Sequence, residues 1–331
     1  MNILAIADKF IEKDIMEKGL KLFKENGHTL VVREWHHKDI EALQYDNLII
    51  EQKGANAIEL PNDLISDVEN YDLIIVQFAP IGKEVIKKAN KLKYIGVLRG
   101  GIENVDIDEA KNRGIEVLNT AGRNARAVAE FTVGMILSEI RNIARAHSSL
   151  KNGIFRKDFP NSSSIPELLN KKIGIVGFGA VGQLVYKFLS SFGCQFIIYE
   201  PYLKELPVNE KKVELEELLK ESDIVTIHMR LTDKTYHMID DKELRLMKKE
   251  AYLINTARSG LVNQSSVVNA LKENRLMGAA IDVFDNEPIP KDDPILKLDN
   301  LTITTHLAGS TKDAFTNTPI LFTEGFLKKY S

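Results

Sequence analysis

KKIGIVGFGAVG, residues 171–182, decides the fold of this chain. Ile173 to Val176 spell a short buried strand that runs into Gly177-x-Gly179-x-x-Gly182. Val181, Leu184, Val185, Phe188 and Leu189 follow at helical spacing. Three spaced glycines alone are a weak signal, but between a strand and a helix they point to a dinucleotide site. The first permits a tight turn, the second lets the backbone approach a pyrophosphate, and the third lets the helix pack on the strand. Ala180 and Val181 open that helix, where unpaired N–H groups and a partial positive charge favour phosphate. The next strand, Gln195 to Tyr199, ends in Glu200, at the distance expected for an acid that accepts from the ribose hydroxyls. A carboxylate there repels a 2′-phosphate, and no arginine stands immediately beside it. The expected cofactor is therefore NAD and not NADP.

Outward from the glycine turn, further short strands are expected at 195–199, 223–228, 252–255, 278–283 and 301–305, with helices between most of them. Before it, NILAIA (2–7), HTLVVRE (28–34), YDLIIVQ (71–77), YIGVL (94–98) and 116–118 are expected strands. Helices are expected at 13–25, 82–90 and 106–113, with a shorter helical piece around Asn47–Lys53. Short apolar strands alternating with helices mean α/β architecture, here two doubly wound parallel-sheet domains. Residues 123–150 read as one long helix with a wide apolar arc that includes Val128, Phe131, Met135, Ile136 and Ile140. So wide an arc needs cover on more than one side, which predicts a homodimer or a helix buried between domains. NSSSIP (161–166) reads as a polar linker, and a last helix is expected at about 311–330.

Composition narrows the function. At 331 residues, with 44% hydrophobic and 27% charged residues, the chain has the make-up of a two-domain globular enzyme. A net charge of -3 and no dense basic block argue against a nucleic-acid partner. No apolar run approaches a membrane span, and the N-terminus lacks a signal-peptide pattern. The single cysteine, Cys194, fits packing and a reducing cytoplasm. His36 and His37 have no partners at metal-ligand spacing, so no metal is expected.

Ligands of open parallel sheets bind at the carboxyl ends of the strands. YLINTARSG (252–260) delivers Arg258 there, GAAIDVFDNEP (278–288) delivers Asp282 and Glu287, and LTITTHLAGS (301–310) delivers His306 and Gly309. These types suit hydride transfer at a hydroxyl-bearing carbon. A histidine with an ordinary pKa near 6.5 can take the hydroxyl proton or return it. Glu287 on the far ring nitrogen would fix the tautomer and favour imidazolium. Arg258 would hold a carboxylate with its planar fork and polarise the keto oxygen. Asp282 is expected toward the nicotinamide end. His228 is assigned to the cofactor wall, with Met229, Thr256, Ala257 and Gly309 beside it.

With these residues in place the chain resembles the D-isomer-specific 2-hydroxyacid dehydrogenases over nearly its full length. The resemblance rests on GFGAVG (177–182), NTARSG (255–260), DVFDNEP (282–288) and THLAGST (305–311). It extends to GIENVD (101–106), NTAGRNARAVAEFTVGMIL (119–137) and DDPILKLDNLTITTH (292–306). It implies a catalytic Arg258, Glu287 and His306. It also implies a discontinuous substrate domain, 1–118 plus 309–331, around a Rossmann NAD-binding domain, 119–308, the two closing over a cleft. The family's substrate loop falls on GVLRGG (96–101), where the backbone of Gly100 and Gly101 would help bind the acid. Arg99 departs from the small residues usual there and suggests a cation for a second anionic group, against the plainer reading that it points to solvent. Glu200 stands where aspartate is commoner, and Arg230 where proline is. Two alternatives stay open: a short 3-phosphoglycerate dehydrogenase, and an NAD-sensing binding protein like the corepressors that share the fold.

Overall fold

Short apolar runs separated by helices assemble, in the computed structural model, into two sheets whose described strand pairs are all parallel. Residues 1–330 are described. The chain divides into two units: Met1–Asn124 with the segment from Thr311 onward, and Ala125–Ser310. No helix among the described residues is long and apolar enough to cross a membrane.

In the first unit β1 (Asn2–Ala7), β2 (Thr29–Glu34), β3 (Leu73–Val76), β4 (Tyr94–Val97) and β5 (Glu116–Asn119) lie in the order β2-β1-β3-β4-β5. Both faces are covered, which is why the strands read as continuous apolar runs. Leu4, Ile6, Ile74 and Val76 face one core, and Ile3, Ala5, Leu73 and Ile75 the other. The second core also takes Phe322 and Phe326 from the terminal helix Thr318–Tyr330. Gly96 on β4 makes room for it, since a side chain there would occupy the space of the Phe322 ring. Losing a ring of this kind costs about 3–5 kcal/mol.

The second unit carries β6 (Lys172–Val176), β7 (Gln195–Tyr199), β8 (Lys211–Lys212), β9 (Ile224–Ile227), β10 (Tyr252–Asn255), β11 (Gly278–Ile281) and β12 (Leu301–Ile303). Their order is β12-β11-β10-β9-β6-β7-β8. The chain leaves β6 on one side through β7 and β8, then returns to pair β9 on its other side. That reversal opens a crevice at the carboxyl ends of β6 and β9.

The stretch read as one helix is two: Ala125–Ile140 and Ile143–Lys151. Asn142 breaks it in the left-handed region at φ 58°, a conformation asparagine tolerates through local hydrogen bonds. Its amide donates to Asn161 Oδ1 at 2.7 Å and its own Oδ1 accepts from Arg145 at 3.0 Å. Asn161, expected in a polar linker, is buried and also donates to Ile140 O and Tyr252 Oη. Arg145 pairs with the buried Glu139 at 2.5 Å, and Glu139 accepts from Thr302 Oγ1 on β12 at 2.6 Å. Met135, Ile136 and Ile140 are covered by this unit's own sheet and helices. The exposed apolar residues lie instead farther along, at Ile143, Leu150, Ile154 and Phe155.

Candidate active site

The glycine turn has the shape a dinucleotide requires. Gly177 sits at φ +95°, and a Cβ there would lie 2.8 Å from the backbone of His228 and Met229. A methyl group at Gly182 would run into the Gly177 carbonyl, so that glycine sets how closely helix and strand approach. Gly179 has open space around its Cβ direction and no side chain caps the Ala180–Ser190 helix it begins. Open space in front of an uncapped helix start is what a pyrophosphate needs. Beside it, His228 Nε2 pairs with Thr226 Oγ1 at 3.0 Å while Nδ1 is buried without a partner among the described residues. Burial pushes this imidazole down to about 3, so it is neutral and can serve as a hydrogen-bonding wall.

Glu200 ends β7 and is buried, with both carboxylate oxygens engaged. Oε2 accepts from Phe178 N at 2.8 Å and Oε1 from Tyr202 N at 2.9 Å. The acid therefore braces the glycine turn from behind. Each oxygen keeps a second lone-pair direction for a hydroxyl.

At the carboxyl edges of β10, β11 and β12 the three predicted side chains emerge together. His306 stands in the left-handed region at φ 57°, and its Nδ1 lies 2.7 Å from Glu287 Oε2. Its Nε2 has no protein partner among the described residues. Glu287 Oε1 accepts from Phe284 N at 2.9 Å. Burial works against the Glu287 charge, but the bond to His306, the Phe284 N–H and nearby Arg258 outweigh it and hold the carboxyl below its usual range. Arg258 donates from Nη1 to Ala257 O at 2.7 Å and has no carboxylate in ion-pair range among the described residues. Asn255, fully inside the strand end, accepts from Ala257 N and donates to Arg258 O, which fixes the turn carrying the guanidinium. Thr256 is buried with its hydroxyl on Thr132 at 2.7 Å. A cavity of about 510 Å³ lined by Phe284, Glu287, Pro288, Ile289 and Thr304 adjoins the acid.

Asp282 departs from expectation. It is fully buried, and its carboxylate is consumed by the turn that bears His306. Oδ1 accepts from Thr304 Oγ1 at 2.6 Å and Leu307 N at 2.9 Å, and Oδ2 accepts from Ala308 N at 2.9 Å. Its observed task is to hold His306 and the following Gly309 loop in place. An open carboxylate toward a ligand is not what it presents.

Arg99, in the first unit, is neither solvent-facing nor a spare cation. Nη1 donates to Asn47 at 2.7 Å, Nη2 to Glu51 at 2.5 Å, and Glu103 lies at 3.4 Å. The sequence reading missed this because the Ile40–Lys53 helix, capped by Asp39, presents Asn47 and Glu51 one turn apart toward Arg99. Gly100 and Gly101 follow, and their N–H groups have no protein acceptor among the described residues. One group went unnoticed in the sequence: Arg123, which follows β5 without an ion-pair partner among the described residues. It lies on the same sheet edge as Arg99, just past a strand end, which is the signal that would have found it. Asp8, fully buried, follows β1 on that edge too.

Comparison with known proteins agrees with this geometry. Residues 133–308 match the family model described as the D-isomer specific 2-hydroxyacid dehydrogenase, NAD binding domain. The chain is 40% identical over 258 residues to a glyoxylate reductase of Thermofilum pendens, covering 76% of each. It is also 40% identical over 258 residues to a D-3-phosphoglycerate dehydrogenase of Methanocaldococcus jannaschii, covering 76% of this chain but only 48% of that protein, about half its length. In fold it resembles the D-isomer specific 2-hydroxyacid dehydrogenase of Lactobacillus delbrueckii ssp. bulgaricus, at a TM-score of 0.77 and 23% identity, over 99% of this chain and 97% of that one. The chain thus belongs to the D-isomer-specific 2-hydroxyacid dehydrogenases, and its cofactor is NAD.

Proposed function

We propose that the chain interconverts a 2-keto acid and a 2-hydroxy acid, with His306, Glu287 and Arg258 as its catalytic residues. The observation that carries this is the 2.7 Å pair of His306 Nδ1 with Glu287, which leaves Nε2 open on the sheet edge that also bears the glycine turn. Bound NAD(H) supplies or accepts the hydride. Gly177, Gly179, Ala180, Val181 and Gly182 would hold its pyrophosphate, and Glu200 its adenosine ribose. His228, Met229, Thr256, Ala257 and Gly309 would line the remainder.

In reduction, His306 Nε2 donates its proton to the keto oxygen, and Glu287 balances the imidazolium until that moment. Arg258 grips the carboxylate and draws charge toward the keto oxygen as it becomes an alkoxide. In oxidation the proton returns to Nε2. The N–H groups of Gly100 and Gly101 are proposed to assist the same carboxylate. Glyoxylate and hydroxypyruvate are the first acids to offer, since curated relatives carry the names of reductases for them. NADH absorbance followed with a panel of 2-keto acids tests the reading; no oxidation with any member removes it.

We also propose that a second copy covers Ile143, Leu150, Ile154 and Phe155, four large apolar side chains left exposed along one short stretch of chain. Sedimentation showing a monomer at micromolar concentration would exclude the homodimer. The half-buried Cys194, pushed up to about 11 by burial, is an inert thiol, in keeping with a cytoplasmic setting.

A further inference from the structure

Strand β9 ends at Ile227, and the chain runs on through His228 and Met229 to Arg230. That turn is pressed against the glycine turn of the same unit. His228 N donates to Val176 O at 2.7 Å, and a Cβ at Gly177 would lie 2.8 Å from His228 C and from Met229 N. The backbone of Arg230 is pinned too. Its carbonyl accepts from the buried Thr235 hydroxyl at 2.7 Å, and that hydroxyl oxygen accepts in turn from Thr232 N at 2.8 Å. The side chain is left free: it is exposed, and its guanidinium makes no hydrogen bond, ion pair or ring contact among the described residues.

The glycine turn itself is short of positive charge. The pyrophosphate of a dinucleotide is a dianion, and the start of the Ala180–Ser190 helix offers it roughly half an elementary charge. Residues 177–186 contain no lysine or arginine. Glu200, whose carboxylate accepts from Phe178 N at 2.8 Å, adds a negative charge on the β7 side. The crevice opens on the other side, between the ends of β6 and β9. Of the two turns that border it, the one after β9 carries the cations, and Arg230 is the first of them, one residue past the contact with Gly177. Lys234 comes later and stands beside Asp233. An arginine has five N–H donors in a planar fork that matches two phosphate oxygens at once.

We propose that Arg230 binds the pyrophosphate of NAD(H), its guanidinium supplying the charge that the glycine turn lacks. This rests on the reading that the glycine turn holds the pyrophosphate. It gives a task to a residue that departs from the proline usual at its place, which has neither charge nor donor to offer.

The test is equilibrium binding to the full chain, read by NADH fluorescence, with ADP-ribose and adenosine as competitors and no keto acid present. In Arg230→Ala the dissociation constants of NADH and ADP-ribose should each rise roughly 10- to 100-fold, as expected for a lost charged hydrogen bond, while that of adenosine stays put. NADH binding should also weaken less steeply with added salt in this variant than in the wild type. Arg230→Lys should keep the wild-type salt dependence and recover only part of the affinity. Unchanged constants for NADH and ADP-ribose overturn the proposal. So does an equal loss for adenosine, which would move the guanidinium to the adenine ring, or a loss confined to NADPH, which would move it to a 2′-phosphate. A wild type that binds neither NADH nor ADP-ribose defeats the reading of the glycine turn, and the proposal with it; wild-type binding that survives Arg230→Ala defeats the proposal alone.

Discussion

Glu287 holds His306 from behind: Oε2 is 2.7 Å from Nδ1, and Oε1 is fixed by the Phe284 N–H at 2.9 Å. The carboxyl is held below its usual range, so it stays ionised through mildly acid conditions and keeps its partner throughout. In Glu287→Gln the imidazolium loses its counter-charge. The alkaline limb of the pH profile for keto-acid reduction should then move toward acid. Stopped or steady-state reduction across pH 5–9 reads this directly, and an unmoved profile would leave Glu287 without its assigned part.

Arg258 has no acidic partner of its own among the described residues, and Asn255 fixes its turn. Arg258→Lys keeps the charge and loses the fork. The KM for the keto acid should rise roughly 10- to 100-fold, with a far smaller change in NADH affinity. A parallel loss of NADH binding would assign Arg258 to the cofactor instead.

Glu200 does two things at once: it braces Phe178 N and Tyr202 N and offers its outer lone pairs. Wild-type turnover should favour NADH over NADPH. Glu200→Ala should raise the NADPH-to-NADH ratio of kcat/KM by about tenfold or more, since repulsion of the 2′-phosphate goes with the carboxylate. Equal wild-type use of both cofactors would contradict the assignment.

The glycine turn was legible because every one of its requirements is local: a strand, three spaced glycines, a helix and an acid one strand later. The Arg258, Glu287 and His306 set was legible through strand ends, since parallel strands deliver such residues to one edge. What escaped depends on tertiary partners. Asn142 breaks a helix that propensity would continue, because Asn161 lies far along the chain to receive its amide. Arg99 looked free because nothing in its own stretch names Asn47 or Glu51. Phe315, from the last segment, stacks on Phe10 at 4.9 Å, a contact that no spacing rule connects. Strand β8 is two exposed lysines, too short to carry a pattern.

Asp8 gives a stability test for the first unit. Burial pushes its carboxyl up to about 6, against the N–H groups of Ile11, Phe10 and Phe78 and the charge of His37. A carboxyl raised above its unfolded value binds its proton more tightly in the folded state, so folding loses stability as pH rises from about 4 to 6. Asp8→Asn removes that loss. Its advantage over the wild type in urea unfolding should be larger at pH 8 than at pH 4 by on the order of 2–3 kcal/mol. An advantage that does not vary with pH would contradict a raised carboxyl.

The open Nε2 of His306 is the atom on which the proposed chemistry rests, and His306→Asn is the substitution that isolates it. With NADH and the best keto acid of the panel, kcat should fall by about 10²–10⁴ while the dissociation constant for NADH, read by fluorescence, changes little. A variant that still reduces the keto acid at near wild-type rate would show that the proton comes from elsewhere, and the assignment of this site would fall.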